Sequence, residues 1–355
     1  MTDEADEKRA LALAAAKAAG FDGLVATTPA TVRWLLCGRG RPVDAASPQA
    51  AYAVLLDGER ANVLAPNIEA PRVAAEERFE ELGFDVVVYP WEVGLEPAVA
   101  ELGNDRRLVA DAELETAIAP LRRGLVPAER DRYAAAGADA AAAMLEVIER
   151  LSPAMRVLDA AAELARATRV RGFFPPVVLV AGDERQKVHR HPLPTVASLG
   201  RHALLAVTAE RDGLHVSLTR LVSFGPPPAE LAELVEAVAA VDAAVLAASL
   251  PGRTVGEAFH VLERTYAERG FPEEWRHHHQ GGITGYRGRE VFARAGEQAV
   301  FPECCAVAWN PSITGGAKSE DTALVSASGV DVLTRTPGVP ELLVDGLPRP
   351  GLVEV

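Results

Sequence analysis

Residues 204–225 read LLAVTAERDGLHVSLTRLVSFG, and this stretch decides the fold of the second half of the chain. Asp212-Gly213 lies between two apolar runs, Ala203–Ala209 and Leu214–Val222. A two-residue Asp-Gly turn accepts the positive φ angles that a tight hairpin requires. The stretch therefore predicts an antiparallel β-hairpin.

Around this hairpin, long helical patterns alternate with short strand-like runs. Apolar positions recur every three or four residues in the helical stretches, which is typical of amphipathic helices. The predicted helices are Pro127–Leu151, Val157–Arg171, Ala229–Ser249 and Val255–Arg269. The runs lack the regular rhythm of a parallel doubly wound sheet. We therefore predict an α+β fold with a mostly antiparallel sheet flanked by helices for residues 125–355.

The first part of the chain has a different pattern. A helix is predicted at Glu4–Ala19, where Gly20 supplies the stop, and another at Glu69–Glu81. Strands are predicted at Gly23–Thr27, Ala51–Leu56, Ala61–Ala65, Asp85–Tyr89 and Arg107–Asp111. Asp57-Gly58 is a hairpin signal between the second and third of these strands. This alternation predicts a smaller α/β domain over residues 1–124.

Composition excludes several classes of function. The 355 residues carry 36 basic and 50 acidic side chains, for a net charge of −14. Nucleic acids and anionic membranes need a basic face, so neither is an expected partner. No apolar run approaches the roughly 20 residues that span a bilayer. The polar, acidic start of the chain is unlike a signal peptide, so we expect a cytoplasmic protein.

Four segments, in a fitting order and spacing, resemble one superfamily. They are the hairpin with its Thr219-Arg220 pair, His279–Tyr286, Ala308–Ile313 and Ser319–Thr322. Together they resemble the creatinase, aminopeptidase P and prolidase superfamily. The resemblance implies a C-terminal pita-bread domain over residues 125–355 and a creatinase-like N-terminal domain over 1–124. It also implies a homodimer in which Arg33 and Arg39 of one chain approach the pocket of the other.

The metal-dependent members of this superfamily hold two metal ions with five side chains. The resemblance places Ala206, Ser217, Gly282 and Asn310 at four of these positions and keeps only Glu320. Two dications about 3.5–4 Å apart need several anionic oxygens. We therefore expect these positions to be vacant metal-ligand positions, with no metal and no cofactor. A single ion held by His277 or His279 with Glu320 remains an alternative.

The polar residues that remain suggest another chemistry. Creatinase acts without metal and relies on a histidine before the hairpin, where the resemblance places His191. An imidazole with a pKa of about 6.5 both takes and returns a proton near neutrality, so His191 is the candidate general acid/base. The catalytic candidates are His191, Glu290 and Glu320. The substrate-binding candidates are Thr219, Arg220, Tyr286, Asn310, Lys318 and His279.

Structural roles compete with these assignments. His191 is equally compatible with a loop histidine, and Arg220 with an ion-pair partner. Glu290 is either a catalytic residue or a solvent-exposed charged residue without a role in catalysis. Lys318 is expected on the same strand face as Glu320, either as an edge lysine or as the charge that replaces a metal.

Three functions follow as hypotheses. The first is a metal-independent hydrolase that cleaves a carbon–nitrogen bond in a small amide, amidine or modified amino acid. The second is a non-catalytic, peptide-binding relative of the peptidases. The third is an Xaa-Pro aminopeptidase or dipeptidase that uses metal ions. The expected ligand is thus a small molecule or a short peptide.

Overall fold

The computed structural model describes residues 3–355, which form two compact units. The first unit extends to Glu129 and includes Asp212–Leu214, while the second comprises Arg130–Arg211 and His215–Val355. The predicted domain boundary between residues 124 and 125 stays a prediction. No helix among the described residues has the length and apolar character needed to cross a membrane.

The first unit is a five-stranded mixed sheet with short helices. Its helices are α1 Asp3–Ala18, α2 Pro29–Leu35, α3 Ala70–Arg72, α4 Leu95–Gly103 and α5 Glu115–Arg123. Its strands are β1 Gly23–Ala26, β2 Ala53–Leu56, β3 Ala61–Pro66, β4 Asp85–Tyr89 and β5 Leu108–Ala110. They lie in the order β4-β3-β2-β1-β5, with parallel pairs at both ends of the sheet. The α/β character predicted for this part is present.

The predicted helix Glu69–Glu81 is wrong as a continuous element. The chain forms α3, then a π-helical turn at Val73–Glu77 and a 3-10 turn at Phe79–Leu82. Arg78, between the two turns, adopts a left-handed conformation with φ 46°. The Arg39 guanidinium donates hydrogen bonds to the carbonyl oxygens of Glu77 and Arg78 at 2.9 and 2.6 Å. These tertiary contacts override a sequence pattern that favours a helix.

The second unit holds the remaining elements. Its helices are α6 Pro127–Ile148, which starts in the first unit, α7 Val157–Arg169, α8 Asp183–Val188, α9 Ala229–Ala248 and α10 Val255–Glu268. Its longer strands are β6 Phe174–Gly182, β7 His202–Arg211, β8 Leu214–Ser223, β9 Gly281–Thr284, β10 Val291–Phe292 and β11 Cys304–Trp309. The remaining strands are β12 Ser312–Ile313, β13 Ala317–Lys318, β14 Asp321–Ser326, β15 Gly329–Val332, β16 Glu341–Val344, β17 Leu347–Pro350 and β18 Leu352–Glu354.

The sheets of this unit are mostly antiparallel, as predicted. The two larger sheets have the orders β18-β8-β7-β6 and β10-β9-β11-β14-β15, and β12-β13 and β16-β17 form two-stranded sheets. The predicted hairpin is β7 and β8, and both turn residues have positive φ, 52° at Asp212 and 80° at Gly213. An antiparallel bridge between Thr219 and Glu320 joins the two sheets. This bridge places Glu320, the only one of the five metal-ligand positions that keeps a carboxylate, against the hairpin.

Helices α9 and α10 pack on the sheets through the main apolar core. Thr254 caps α10 with a capping box, since its hydroxyl accepts from the amide of Glu257 and the Glu257 carboxylate accepts from the amide of Thr254. Trp309, on β11, is fully buried and donates from Nε1 to Ser249 Oγ at 3.0 Å. Trp309 is therefore a core residue. Its burial and its hydrogen bond to Ser249 fix the end of β11, which precedes Asn310.

Candidate active site

A cavity of about 350 Å³ opens in the second unit next to the hairpin. Its lining combines apolar strand residues with ionisable and amide side chains. The residues that line it are Pro176, Val177, Leu179, His191, Ala206, Val207, Thr208, His215, His279, Gly288, Arg289, Phe292, Asn310, Lys318 and Glu320. A concave, partly apolar site with a few convergent polar groups is the usual form of a small-ligand pocket.

Glu320 lies at the centre of a charged cage in this cavity. Arg289 donates from one guanidinium nitrogen to Oε1 at 3.1 Å, and the Lys318 ammonium lies 3.6 Å from Oε2. The Thr219 hydroxyl donates to Oε2 at 2.7 Å. Burial alone raises the pKa of Glu320, but Lys318, Arg289 and Thr219 outweigh it and hold that pKa below its ordinary value. Two cations thus surround one carboxylate, and one positive charge is left over.

The four vacant ligand positions offer no place for two metal ions. Ala206 presents only a methyl group, and the Ser217 hydroxyl is engaged with Thr208 Oγ1 at 2.9 Å. Gly282 has φ +139°, and a Cβ there would lie 2.2 Å from the carbonyl oxygen of Val291, so this backbone admits no imidazole. Asn310 supplies a neutral amide in place of a carboxylate.

The fifth position is equally unsuited to a dinuclear centre. Both oxygens of Glu320 already bind the cage, and a metal ion there would face Arg289 and Lys318 at close range. Repulsion between like charges in a buried site is severe because the effective dielectric constant is low. The residues present therefore do not fit the paired metal ions of the superfamily.

Arg220 has a structural role. Its guanidinium donates to Asp321 Oδ1 at 2.8 Å and to the Thr334 carbonyl at 2.6 Å, and the residue is 1% exposed. It does not line the cavity. The prediction that Arg220 binds substrate is wrong because its donors are used in the core, and Arg289 is the arginine that reaches the cavity.

Glu290 and Tyr286 also lie outside the cavity lining. Tyr286 is buried, and the Glu290 amide donates to the carbonyl of Ile283 in β9 at 2.8 Å. The sequence analysis selected Glu290 as a catalytic candidate, but its neighbour Arg289 is the residue that lines the cavity. The assigned catalytic role of Glu290 therefore lacks support from its position.

A group of three histidines stands at one side of the cavity. His191 and His278 face each other with their Nε2 atoms 2.9 Å apart, and His279 stacks on His278 at 4.4 Å between ring centroids. Of the two histidines that the sequence offered as metal ligands, His279 belongs to this group and His277 does not. A 3-10 turn ends at His277 and the chain extends only from His278, so strand alternation does not apply there.

The environment keeps these rings neutral. Desolvation lowers the pKa of His278 far below its ordinary value and that of His279 to about 4. Desolvation, followed by the charge of Lys318, also lowers the pKa of His191. His191 therefore carries a free lone pair near pH 7, as a general base requires. Its Nδ1 atom makes no hydrogen bond to the residues 3–355 that the structure describes.

The predicted contribution of the region near Arg33 and Arg39 to another chain's pocket stays a prediction. Arg33 is buried, and its guanidinium donates to the Gly38 carbonyl at 3.1 Å. Arg39 binds the backbone of Glu77 and Arg78 and the carboxylate of Glu81 at 2.8 Å. Both side chains are therefore already engaged within the first unit.

Comparisons with known proteins agree with this architecture. The Xaa-Pro dipeptidase from Bacillus anthracis superposes with a TM-score of 0.75 at 18% identity, covering 99% of this chain and 100% of that one. Dipeptidase PepE from Mycobacterium ulcerans gives 0.74 at 20% identity, covering 99% and 98%. The N-terminal domain of the FACT complex subunit SPT16 from Cicer arietinum gives 0.66 at 11% identity, covering 94% and 96%.

These structural likenesses show the fold. A search of curated proteins finds no significant match to the sequence. The sequence profile of metallopeptidase family M24 matches residues 131–327, which is more than half of the chain. The protein belongs to metallopeptidase family M24 and has its pita-bread fold.

Proposed function

We propose that the protein is a hydrolase that cleaves a carbon–nitrogen bond in a small amide, amidine or modified amino acid without a two-metal centre. The observation that carries this proposal is the cage in which Arg289 and Lys318 enclose Glu320. The two side-chain cations lie against the one ligand-type carboxylate that the chain keeps. The cage leaves one positive charge unmatched, so the substrate expected in the cavity bears a carboxylate.

His191 supplies the acid/base step in this proposal. Its Nε2 is bonded to His278, which leaves Nδ1 to exchange a proton. Water adds to the carbonyl or amidine carbon while its proton moves to Nδ1 of His191. The same proton then passes to the leaving nitrogen as the carbon–nitrogen bond breaks. The positive charges of Arg289 and Lys318 stabilise the negative charge that develops during this addition.

Asn310 and the cavity size support a small substrate. Asn310 is buried in the cavity wall, and its Oδ1 accepts no hydrogen bond from the described residues, so an N–H of the substrate suits it. A cavity of about 350 Å³ lies at the small end of the range of ligand pockets, roughly 300–1,000 Å³. His279 and Phe292 form one apolar wall, with ring centroids 5.3 Å apart.

The test is a hydrolysis screen in the presence of a chelator. The panel contains N-acyl, N-carbamoyl and amidino amino acids, each beside its methyl amide, which lacks the carboxylate. Release of amine or ammonia is measured. We expect turnover that persists with chelator, prefers the carboxylate form and is lost in His191→Ala, whereas Lys187→Met, at an exposed lysine, behaves as wild type. Cleavage of Xaa-Pro dipeptides that requires added Mn²⁺ or Co²⁺ would contradict the proposal.

A second candidate is a non-catalytic peptide-binding module. The likeness to a domain of a FACT complex subunit favours it, because that relative is named as part of an assembly. Peptide arrays separate the two candidates, since a binding module retains peptides without cleaving them. A homodimer and a cytoplasmic location remain predictions, and light scattering on the purified chain tests the first of them.

A further inference from the structure

The three histidines beside the cavity form a set of metal-ligand type. One ring nitrogen from each of His191, His278 and His279 lies within 4.8 Å of the other two. None of the three occupies a vacant position of the superfamily's dinuclear centre, which would involve Ala206, Ser217, Gly282, Asn310 and Glu320. The set is therefore separate from that centre.

The contact between His191 and His278 already resembles half of a coordination site. Two Nε2 atoms that face each other at 2.9 Å share one proton between two lone pairs. A tetrahedral zinc ion with Zn–N distances of about 2.0–2.1 Å places two ligand nitrogens about 3.3 Å apart. If this contact opens by a few tenths of an ångström and the shared proton moves to Nδ1 of the ring that carries it, both Nε2 lone pairs become available to one ion.

His279 completes the set from the neighbouring position. Its ring lies 4.4 Å from that of His278 with an angle of 25°, and 5.5 Å from that of His191. The Phe292 ring packs edge-on against it. His278 is buried, whereas His191 and His279 border the open cavity. Three protein ligands would thus leave a coordination position open towards the cavity.

We propose that His191, His278 and His279 bind one first-row transition-metal ion of the zinc type, at a site that differs from the family's two-metal centre. Three imidazoles select zinc, cobalt, nickel or copper(II) over manganese, magnesium and calcium, which prefer carboxylate oxygens. Glu320 is no ligand, because both of its oxygens are held in the cage.

The surrounding charges set the strength of this site. Lys318 and Arg289 repel a dication, while Glu320 partly offsets them. His191 and His279 line the cavity, so an ion can reach these rings from it. We therefore expect binding that depends mainly on the three imidazoles, with a smaller contribution from the charge of Glu320.

Occupancy would stop the hydrolysis, a consequence that rests on the proposed function. A metal ion on Nε2 of His191 takes the lone pair of the neutral ring, so the remaining ring proton must sit on Nδ1. Nδ1 is then no longer a base. The site is thus an inhibitory site for zinc-type ions.

The binding test uses the full-length chain without a histidine tag. Apo protein is titrated with Co²⁺ and followed by visible absorption, and Zn²⁺ competition follows. We expect one equivalent of Co²⁺ per chain, displaced by Zn²⁺, and no competition from Mn²⁺. Binding should weaken at least about tenfold in His278→Leu and in His191→Ala, of which the second lies at an exposed position.

The matched controls decide the location of the ion. His277→Leu removes the exposed neighbour outside the set and should bind Co²⁺ as wild type does, whereas Glu320→Gln, which removes an offsetting charge and no ligand, should weaken binding less than His278→Leu does. Absence of stoichiometric binding, or unchanged binding in both His278→Leu and His191→Ala, would overturn the site. Stoichiometric binding without any hydrolase activity would uphold the site and refute the proposed function. Hydrolysis that continues with saturating Zn²⁺ would overturn the inhibitory role.

Discussion

Two buried ion networks in the second unit involve the adjacent residues Glu320 and Asp321 and differ in charge balance. In the core network, Arg220 and Arg349 bind Asp321 at 2.8 and 3.1 Å, and Arg349 also binds Asp242 at 2.6 Å. Two cations thus meet two carboxylates. In the cavity cage, Arg289 and Lys318 meet the single carboxylate of Glu320.

The difference separates structure from function. A balanced network has no need of a further ion, and all four side chains of the core network are buried. An unbalanced cage costs free energy unless water or a ligand supplies the missing charge. The cage lines the cavity that a ligand would enter, so an anionic ligand can supply the missing negative charge.

Breaking the core network should have the largest effect. Arg220→Met leaves Asp321 short of one partner in a site without water access, and we expect a loss of about 3–5 kcal/mol in the free energy of unfolding. Urea denaturation followed by circular dichroism measures it. The exposed ion pair Arg156–Asp159 gives the matched control, since Arg156→Met should not change the midpoint measurably. Equal midpoints for the two variants would refute the structural role of Arg220.

Removing the carboxylate of the cage should cost less. Glu320→Gln leaves two cations side by side, but the cavity admits water and anions, so we expect a loss of about 1–3 kcal/mol. Added acetate or sulfate should recover part of this loss. Because the pKa of Glu320 is lowered on folding, its contribution is present above its unfolded value near 4.5 and disappears as the pH falls through the folded value. A variant that unfolds with the same acid profile as wild type would count against the cage.

The histidines predict a second pH effect. The folded pKa of His279 is lowered from 6.5 to about 4, so the unfolded chain binds the proton first. His279 therefore opposes folding progressively as the pH falls from about 6.5 to about 4, and the effect levels off below that. NMR titration of the His279 ring should give a midpoint near 4. A midpoint near 6.5 would show that the ring is solvated and outside the cluster.

Removing the surplus cation should have the smallest effect on stability. Lys318→Met leaves Arg289 and Glu320 as a matched pair, so we expect a change within about 1 kcal/mol. The same substitution should weaken carboxylate binding in the cavity, measured by calorimetry with the best ligand of the screen. A large loss of stability with unchanged ligand binding would mean that Lys318 is the essential structural partner of Glu320 and does not bind the ligand.

The sequence predicted the fold through local signals. The hairpin with its Asp212-Gly213 turn and the three other segments of the resemblance were sufficient, because turn chemistry and strand periodicity depend on neighbouring residues. Gly282 illustrates the same point in the site. The sequence shows that a glycine replaces the ligand histidine at this position. The structure adds that the backbone of β9 leaves no room for a side chain at Gly282.

The sequence could not assign the side chains that reach the cavity. A 3-10 turn ends at His277 and the chain extends only from His278, a boundary that the sequence pattern did not show, and His278 and His279 both reach the cluster. Arg289 was overlooked in favour of Glu290, since which of two neighbours faces inward depends on strand register. Arg220 was assigned to substrate because its partners, Asp321 and Thr334, are 101 and 114 residues away.

The most direct test of the central claim is anomalous diffraction from crystals soaked in Mn²⁺. The account predicts that no pair of anomalous peaks appears beside Glu320, whose oxygens remain bonded to Thr219, Arg289 and Lys318. Two peaks about 3.5–4 Å apart that displace Arg289 or Lys318 from Glu320 would contradict it, because they would show that the cavity holds the family's two-metal centre after all.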